Sequence, residues 1–285
     1  MTYLSTFLLF FLFHLIYSAH LIYSANSSLD IKLLNTSVWL SGAAYCNKEN
    51  YSTMKLSGPA SGFIYMDTLY DVKSDLQGYI GILQETQSIY IVLRGSSSIM
   101  NWLADFEISL VPYDTYPECN CNVHRGFYNS ALGVSSTALN VVKLLLKVYP
   151  KYSVIITGHS YGASCGQILA MELERKGIKT QIYNFGQPRV GDDNYAGFVN
   201  TIIDAEDYWR VTHDKDIVPH VPPEGLGYLH SCREVFEDEQ GDLKICSEVD
   251  CEDPECANRY KLRETNGEDH SYYLGHEMSC EESTL

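Results

Sequence analysis

The sequence predicts an α/β fold, a mostly parallel central sheet flanked by helices, on three observations. Short β-branched apolar runs alternate with segments of helical periodicity. The run Val154-Ile155-Ile156-Thr157 leads directly into Gly158-His159-Ser160-Tyr161-Gly162, and small and apolar residues at helical spacing follow it. Two later strand-like runs, 180–185 and 207–212, each end in polar loops, the second of them rich in Asp. In such folds the reactive groups collect at the carboxyl ends of the strands.

Strand, sharp turn and helix around G-x-S-x-G is the setting of a nucleophile elbow, where glycines on both sides of the serine allow strand and helix to approach closely. Ser160 would project its hydroxyl above the sheet. A serine hydroxyl is a weak nucleophile at neutral pH, so the elbow implies a catalyst only together with a histidine base and an orienting carboxylate.

The chain has 285 residues, 45% of them hydrophobic, with no composition break, which fits one domain over residues 26–285. Its formal charge is -16. From Cys232 onward sixteen Asp and Glu face five Lys and Arg, so most of the excess sits there. Such a surface repels nucleic acid and anionic membranes, and serves equally as a solvated face that aids solubility.

Residues 1–25 carry no charged side chain and hold an apolar run at 7–13, followed by two copies of His-Leu-Ile-Tyr-Ser-Ala at 14–19 and 20–25. This reads as a secretory signal cleaved after Ala19 or Ala25, leaving no stable membrane span; an uncleaved anchor is the alternative. Export places the chain outside the cell or in the lumen of the secretory and endolysosomal route. In that oxidising setting eight of the nine cysteines read as disulfide partners, with Cys165 left as a buried thiol. A zinc site at Cys246, Cys251 and Cys256 fits poorly, because their spacing is too wide, and no metal or cofactor is expected. Sequons at Asn26, Asn35 and Asn50 suit the same route.

Along the chain, residues 30–47 have helical periodicity but show no chemistry. Strand-like runs at 63–70, 78–83 and 88–94 follow. After them, Ile99, Trp102, Leu103 and Phe106 share one helical face, which on pattern alone is a surface helix packed on the core. Residues 117–127 read as a loop leading into a helix over 128–148, with His124 a packed residue. Beyond the strand at 207–212 lie Asp214 and Asp216, then His220. His270, at the start of an expected helix, and His276 close the chain. Ser160, Asp216 and His270 stand in the Ser, Asp, His order of elbow hydrolases. Asp214 and Asp204 remain alternatives for the acid, and His220 and His276 for the base.

Taken together, Val92-Leu93-Arg94-Gly95-Ser96-Ser97-Ser98-Ile99, Asn101-Trp102-Leu103-Ala104-Asp105, Val123-His124-Arg125-Gly126-Phe127, the elbow, Asn184-Phe185-Gly186-Gln187-Pro188-Arg189-Val190-Gly191, Asp216-Ile217-Val218-Pro219 and Asp269-His270 resemble the class 3, fungal-type lipases of the α/β-hydrolase fold. The resemblance runs from about residue 40 to 280. It implies Ser160 as nucleophile, His270 as base and then acid, and Asp216 as the group that orients it. It assigns the oxyanion hole to Ser96 and the backbone N–H of Tyr161, makes the helix bearing Ile99, Trp102, Leu103 and Phe106 a lid, and pairs Cys46 with Cys280. Tyr161 stands where the family often has Leu, placing a larger side chain beside the acyl pocket. The implied function is hydrolysis of lipid carboxylic esters at a lipid–water interface, triacylglycerols first. A phospholipase A1, a soluble-ester or feruloyl esterase, and an inactive lipid-binding protein are the other readings.

Overall fold

The computed structural model describes residues 29–96 and 108–280. The amino-terminal apolar stretch, Asn26 and the set Ile99, Trp102, Leu103 and Phe106 lie outside these residues. Helix α1 (Ile31–Ala43) starts where Asp30 Oδ1 accepts the N–H groups of Lys32 and Leu33, a capping arrangement that satisfies two otherwise unpaired donors. Strands β1 (Ile64–Asp71), β2 (Leu76–Leu83) and β3 (Ser88–Leu93) form an antiparallel meander, within one or two residues of the expected limits.

The stretch 117–127, expected to be a loop, contains the short strand β5 (Asn122–His124), which pairs with β4 (Leu110–Pro112) just before it. Helix α2 (Arg125–Val148) begins three residues earlier than its periodicity indicated. The reason is His124, whose Nδ1 accepts Phe127 N–H at 3.2 Å and so acts as an N-cap that apolar spacing does not reveal. Strand β6 (Ser153–His159) then runs into the elbow and helix α3 (Tyr161–Glu174). Strand β7 (Thr180–Phe185), the short β8 (Gly191–Asp192), helix α4 (Asp193–Ile202) and strand β9 (Tyr208–His213) follow. The remaining strands are β10 (Tyr228–Leu229), β11 (Glu234–Glu237), β12 (Leu243–Ile245), β13 (Tyr272–Tyr273) and β14 (His276–Glu277).

The main sheet has the order β1-β2-β3-β6-β7-β9-β11-β12. Its centre, β3 through β11, is parallel, and the antiparallel pairings lie towards the edges. Side chains alternate between the two faces, as the two-residue period of a strand requires. Ile89, Ile91, Leu93, Val154 and Ile156 pack with α2 and α3, whereas Tyr90, Val92, Ile155, Tyr183 and Phe185 pack with α1. Burial on both faces explains why β3 and β6 read as nearly continuous apolar runs. Each such side chain stabilises the fold by roughly 1.5–3 kcal/mol.

His270 does not start a helix. It lies in a single 3-10 turn, residues Asp269–Ser271, followed by the β13–β14 hairpin. The two residues between these strands, Leu274 and Gly275, both have positive φ, 53° and 71°. That is the geometry of a tight hairpin turn, for which Asn-Gly or Asp-Gly is the recognisable sequence, and Leu274 disguised it. Its N–H donates to Glu237 Oε2 at 2.8 Å, which holds the turn against β11.

Four disulfides join Cys46 to Cys280, Cys119 to Cys121, Cys232 to Cys251, and Cys246 to Cys256, while Cys165 is free and buried. The Cys46–Cys280 bond closes a sequence separation of 234 residues. Replacing both of its cysteines by alanine is expected to lower unfolding free energy by about 5.5 kcal/mol in the chain-entropy account. Urea unfolding under non-reducing conditions measures this, and a loss below about 1 kcal/mol contradicts it.

Candidate active site

The parallel register brings four strand ends to one edge. Leu93 lies opposite Gly158, His159 opposite Phe185, and Phe185 opposite Val211. Ser160 leaves that edge with φ 56° and ψ -127°, a conformation that side chains rarely adopt. Its N–H donates to the Phe185 carbonyl at 2.9 Å. A Cβ at Gly162 would lie 2.3 Å from the Leu93 carbonyl oxygen, and one at Gly158 2.8 Å from the Gly162 carbonyl carbon. Both glycines are therefore steric necessities, because helix and strands touch through their backbones.

Asp216 is buried in the loop after β9. Its carboxylate accepts Val218 N–H at 2.8 Å, His270 Nδ1–H at 2.7 Å and the Tyr273 hydroxyl. A carboxylate only accepts, so Nδ1 carries the proton and neutral His270 presents a lone pair at Nε2. That Nε2 and the Ser160 hydroxyl oxygen are both buried without a hydrogen-bond partner. The His270 ring packs on Gly186, the residue after Phe185: a Cβ there would come within 2.8 Å of its Cε1. The structure thus brings Ser160, His270 and Asp216 to one strand edge. The arrangement can pass a serine proton to an imidazole whose other nitrogen is held by a buried carboxylate.

The segment carrying His270 is tied to the Asp216 loop by its own backbone. Ile217 N–H donates to Asn266 O, Asn266 N–H to Lys215 O, and Lys215 N–H to Asp269 Oδ2. The other candidates lie elsewhere. Asp214 accepts the Tyr260 hydroxyl at 2.7 Å, and Asp204 pairs with Lys179 at 2.7 Å. His276 stacks on Trp39 at 4.5 Å, and His220 is buried near Arg189 and makes no hydrogen bond to Ser160 Oγ. Sequence reading missed Tyr273, one of 22 tyrosines, which carries no local signal.

Ser96 follows Gly95, where a Cβ would lie 2.9 Å from Ser160 Cβ, so the end of β3 reaches the elbow. Tyr161 heads α3 at an end whose N–H groups favour developing negative charge. Its hydroxyl is hydrogen-bonded to Ser130 Oγ at 2.5 Å and its ring meets Phe127 edge-on, so the phenol is pinned against α2. Arg189, also unmarked as a site residue, is buried and grips Glu252 with two 2.8 Å hydrogen bonds. Cys46 and Cys280 are bonded, and Asn35 and Asn50 are half-buried, Asn35 within α1. Glu234, Cys246 and Cys256 bring three ligand-type atoms together, but the two sulfurs are joined in a disulfide.

The family described as lipase (class 3) matches residues 90–226. The lipase of Rhizomucor miehei is 32% identical over 267 residues, which is 88% of this chain and 70% of that protein. A secreted mono- and diacylglycerol lipase of Fusarium solani is 30% identical over 61% of this chain and 51% of its own length. A solved triacylglycerol lipase, described as having a serine-protease triad as its catalytic centre, superposes with a TM-score of 0.80. It shows 30% identity, and the match covers 88% of this chain and 96% of that one.

Burial holds His220 down at about 4, and holds His159 and His230 well below the ordinary histidine range. Folded, they stay neutral; unfolded, they take up protons near pH 6.5. The unfolded chain therefore binds more protons between pH 6.5 and about 4, and stability falls as pH drops through that window. His220 alone should cost about 2 kcal/mol by pH 5. Urea midpoints at pH 7.5 and pH 5 measure the fall, and equal midpoints contradict it.

Proposed function

Because this chain belongs to the class 3 lipases, a family of carboxylic ester hydrolases, we propose that it is an exported serine lipase that cleaves acylglycerols, triacylglycerols first. The observation that carries the reading is the buried Asp216–His270 contact beside a serine in a strained elbow. Ser160 Oγ attacks the ester carbonyl carbon as its proton passes to His270 Nε2. The oxyanion takes hydrogen bonds from Ser96 and the N–H of Tyr161. His270 then gives the proton to the departing alcohol, and water releases the fatty acid by the same path. Asp216 keeps the ring in the tautomer that allows both transfers, and Tyr273 and the Val218 N–H hold Asp216.

The names of the relatives support a glycerolipid substrate, and the Fusarium one favours partial glycerides as a second reading. Export is supported by the uncharged amino-terminal stretch, the four disulfides and the secreted relative. The shared apolar face of Ile99, Trp102, Leu103 and Phe106 supports a lid. A lid of this kind would lose the burial of its apolar face on opening in water and regain it in lipid at an interface, so a lipid surface would favour the open form.

Ser160→Ala is expected to abolish both hydrolysis and labelling by a fluorophosphonate. Ser96→Ala should lower kcat by about 10²–10³, the loss of one oxyanion donor. Trp102→Ser should reduce the rate on emulsified triacylglycerol far more than on a dissolved short-chain ester. Equal losses on the two substrates return this segment to a surface helix and move the reading towards a soluble esterase.

A further inference from the structure

Tyr45 follows α1 and is half-buried, and its hydroxyl lies 2.6 Å from His159 Nδ1. On the other side of that ring, His159 Nε2 lies 2.8 Å from the main-chain carbonyl oxygen of His270. A carbonyl oxygen can only accept, so Nε2 bears the proton. Burial, and after it the neighbouring His270, keeps His159 neutral. Its Nδ1 therefore offers a lone pair, and the Tyr45 O–H donates to it. The two imidazoles lie with centroids 4.3 Å apart.

The same phenol reaches the end of β3. A Cβ at Gly95 would come 2.2 Å from the Tyr45 hydroxyl, 2.9 Å from the His159 carbonyl oxygen and 2.9 Å from Ser160 Cβ. Tyr45 thus touches the residue before Ser96 while bonded to the ring that holds the backbone of His270. The next residue, Cys46, is joined to Cys280 just beyond the hairpin, which fixes where the phenol can stand.

We propose that Tyr45 and His159 are positioning residues for ester hydrolysis: together they hold the main chain of His270 at a set distance from the elbow and seat Gly95–Ser96 against Ser160. Neither touches the substrate. The need follows from how His270 is mounted. It sits on one 3-10 turn before two-residue strands, and the main-sheet ladder does not include it. Its side chain is fixed by Asp216, and His159 supplies the matching tie to its main chain. An error of about 1 Å in such a constellation can cost about 100-fold in rate. The proposal rests on the roles given above to Ser160, His270 and Ser96.

The test uses the full chain with Tyr45→Phe, His159→Leu and His159→Gln, read by kcat and KM on a dissolved short-chain ester, by the fluorophosphonate labelling rate and by melting temperature. Tyr45→Phe keeps the ring and should lower kcat and labelling about tenfold, with KM within about twofold. His159→Leu removes both hydrogen bonds and should lower kcat about 100-fold. His159→Gln, whose amide both donates and accepts, should recover to within about fivefold of the parent. Wild-type kcat in a folded Tyr45→Phe overturns the proposal, as does a His159→Gln no faster than His159→Leu, which would make ring volume the requirement. Should His159→Leu fail to fold, Tyr45→Phe and His159→Gln decide alone, the latter then having to keep near-parent kcat. Failure of the underlying reading looks different: the parent enzyme is then not labelled on Ser160, and the proposal falls with it.

Discussion

The left-handed backbone of Ser160 is the constraint on which the site depends. A non-glycine residue in such a conformation costs on the order of 1–3 kcal/mol, and it persists only where its surroundings leave no alternative. Here the Ser160 N–H is held by Phe185 O, and α3 approaches β3 so closely that Gly162 has no room for a methyl group. Those contacts exist only because β3, β6 and β7 are parallel neighbours in fixed register, clamped by apolar side chains on both faces. Packing in the core is thereby converted into the position of one hydroxyl.

Asp216 and His270, the acid and base of the proposed mechanism, are mounted differently. Asp216 sits in a loop springing from a central strand, is buried, and accepts three hydrogen bonds. His270 belongs to a terminal segment tied down by contacts from several directions: backbone bonds to the Asp216 loop, the Glu237–Leu274 bond, and the covalent link at Cys280. A rigidly held Asp216 and a separately tethered His270 make the distance from His270 to Ser160 depend on side-chain ties more than on the sheet.

The central strands β3 and β6 were legible because burial on both faces leaves runs of apolar, largely β-branched residues, as at 89–93 and 154–157. The elbow was legible because its steric demand falls on glycine, which the sequence displays. Asp216 and His270 could be ordered along the chain, but their contact spans 54 residues and no local pattern encodes it. The helix expected at His270 failed on Leu274, which adopts positive φ under the pull of Glu237, a partner far away in sequence. His124 as a cap, Tyr273 on the acid and Tyr45 on His159 were invisible for one shared reason. Each is a single hydrogen bond made by a residue type that is common in the chain, and only the folded geometry distinguishes it.

The Cys46–Cys280 bond also bears on the order of events during synthesis. Its first sulfur lies three residues past the first described helix and its second ten residues past His270, so it cannot form until almost the whole described chain has left the ribosome. Six other half-cystines of the final structure emerge in the meantime. A nascent chain that oxidises Cys46 early can pair it only with one of those six or with Cys165, and must then exchange. The native linkage therefore marks a finished molecule, one in which the hairpin beyond His270 has already docked beside α1.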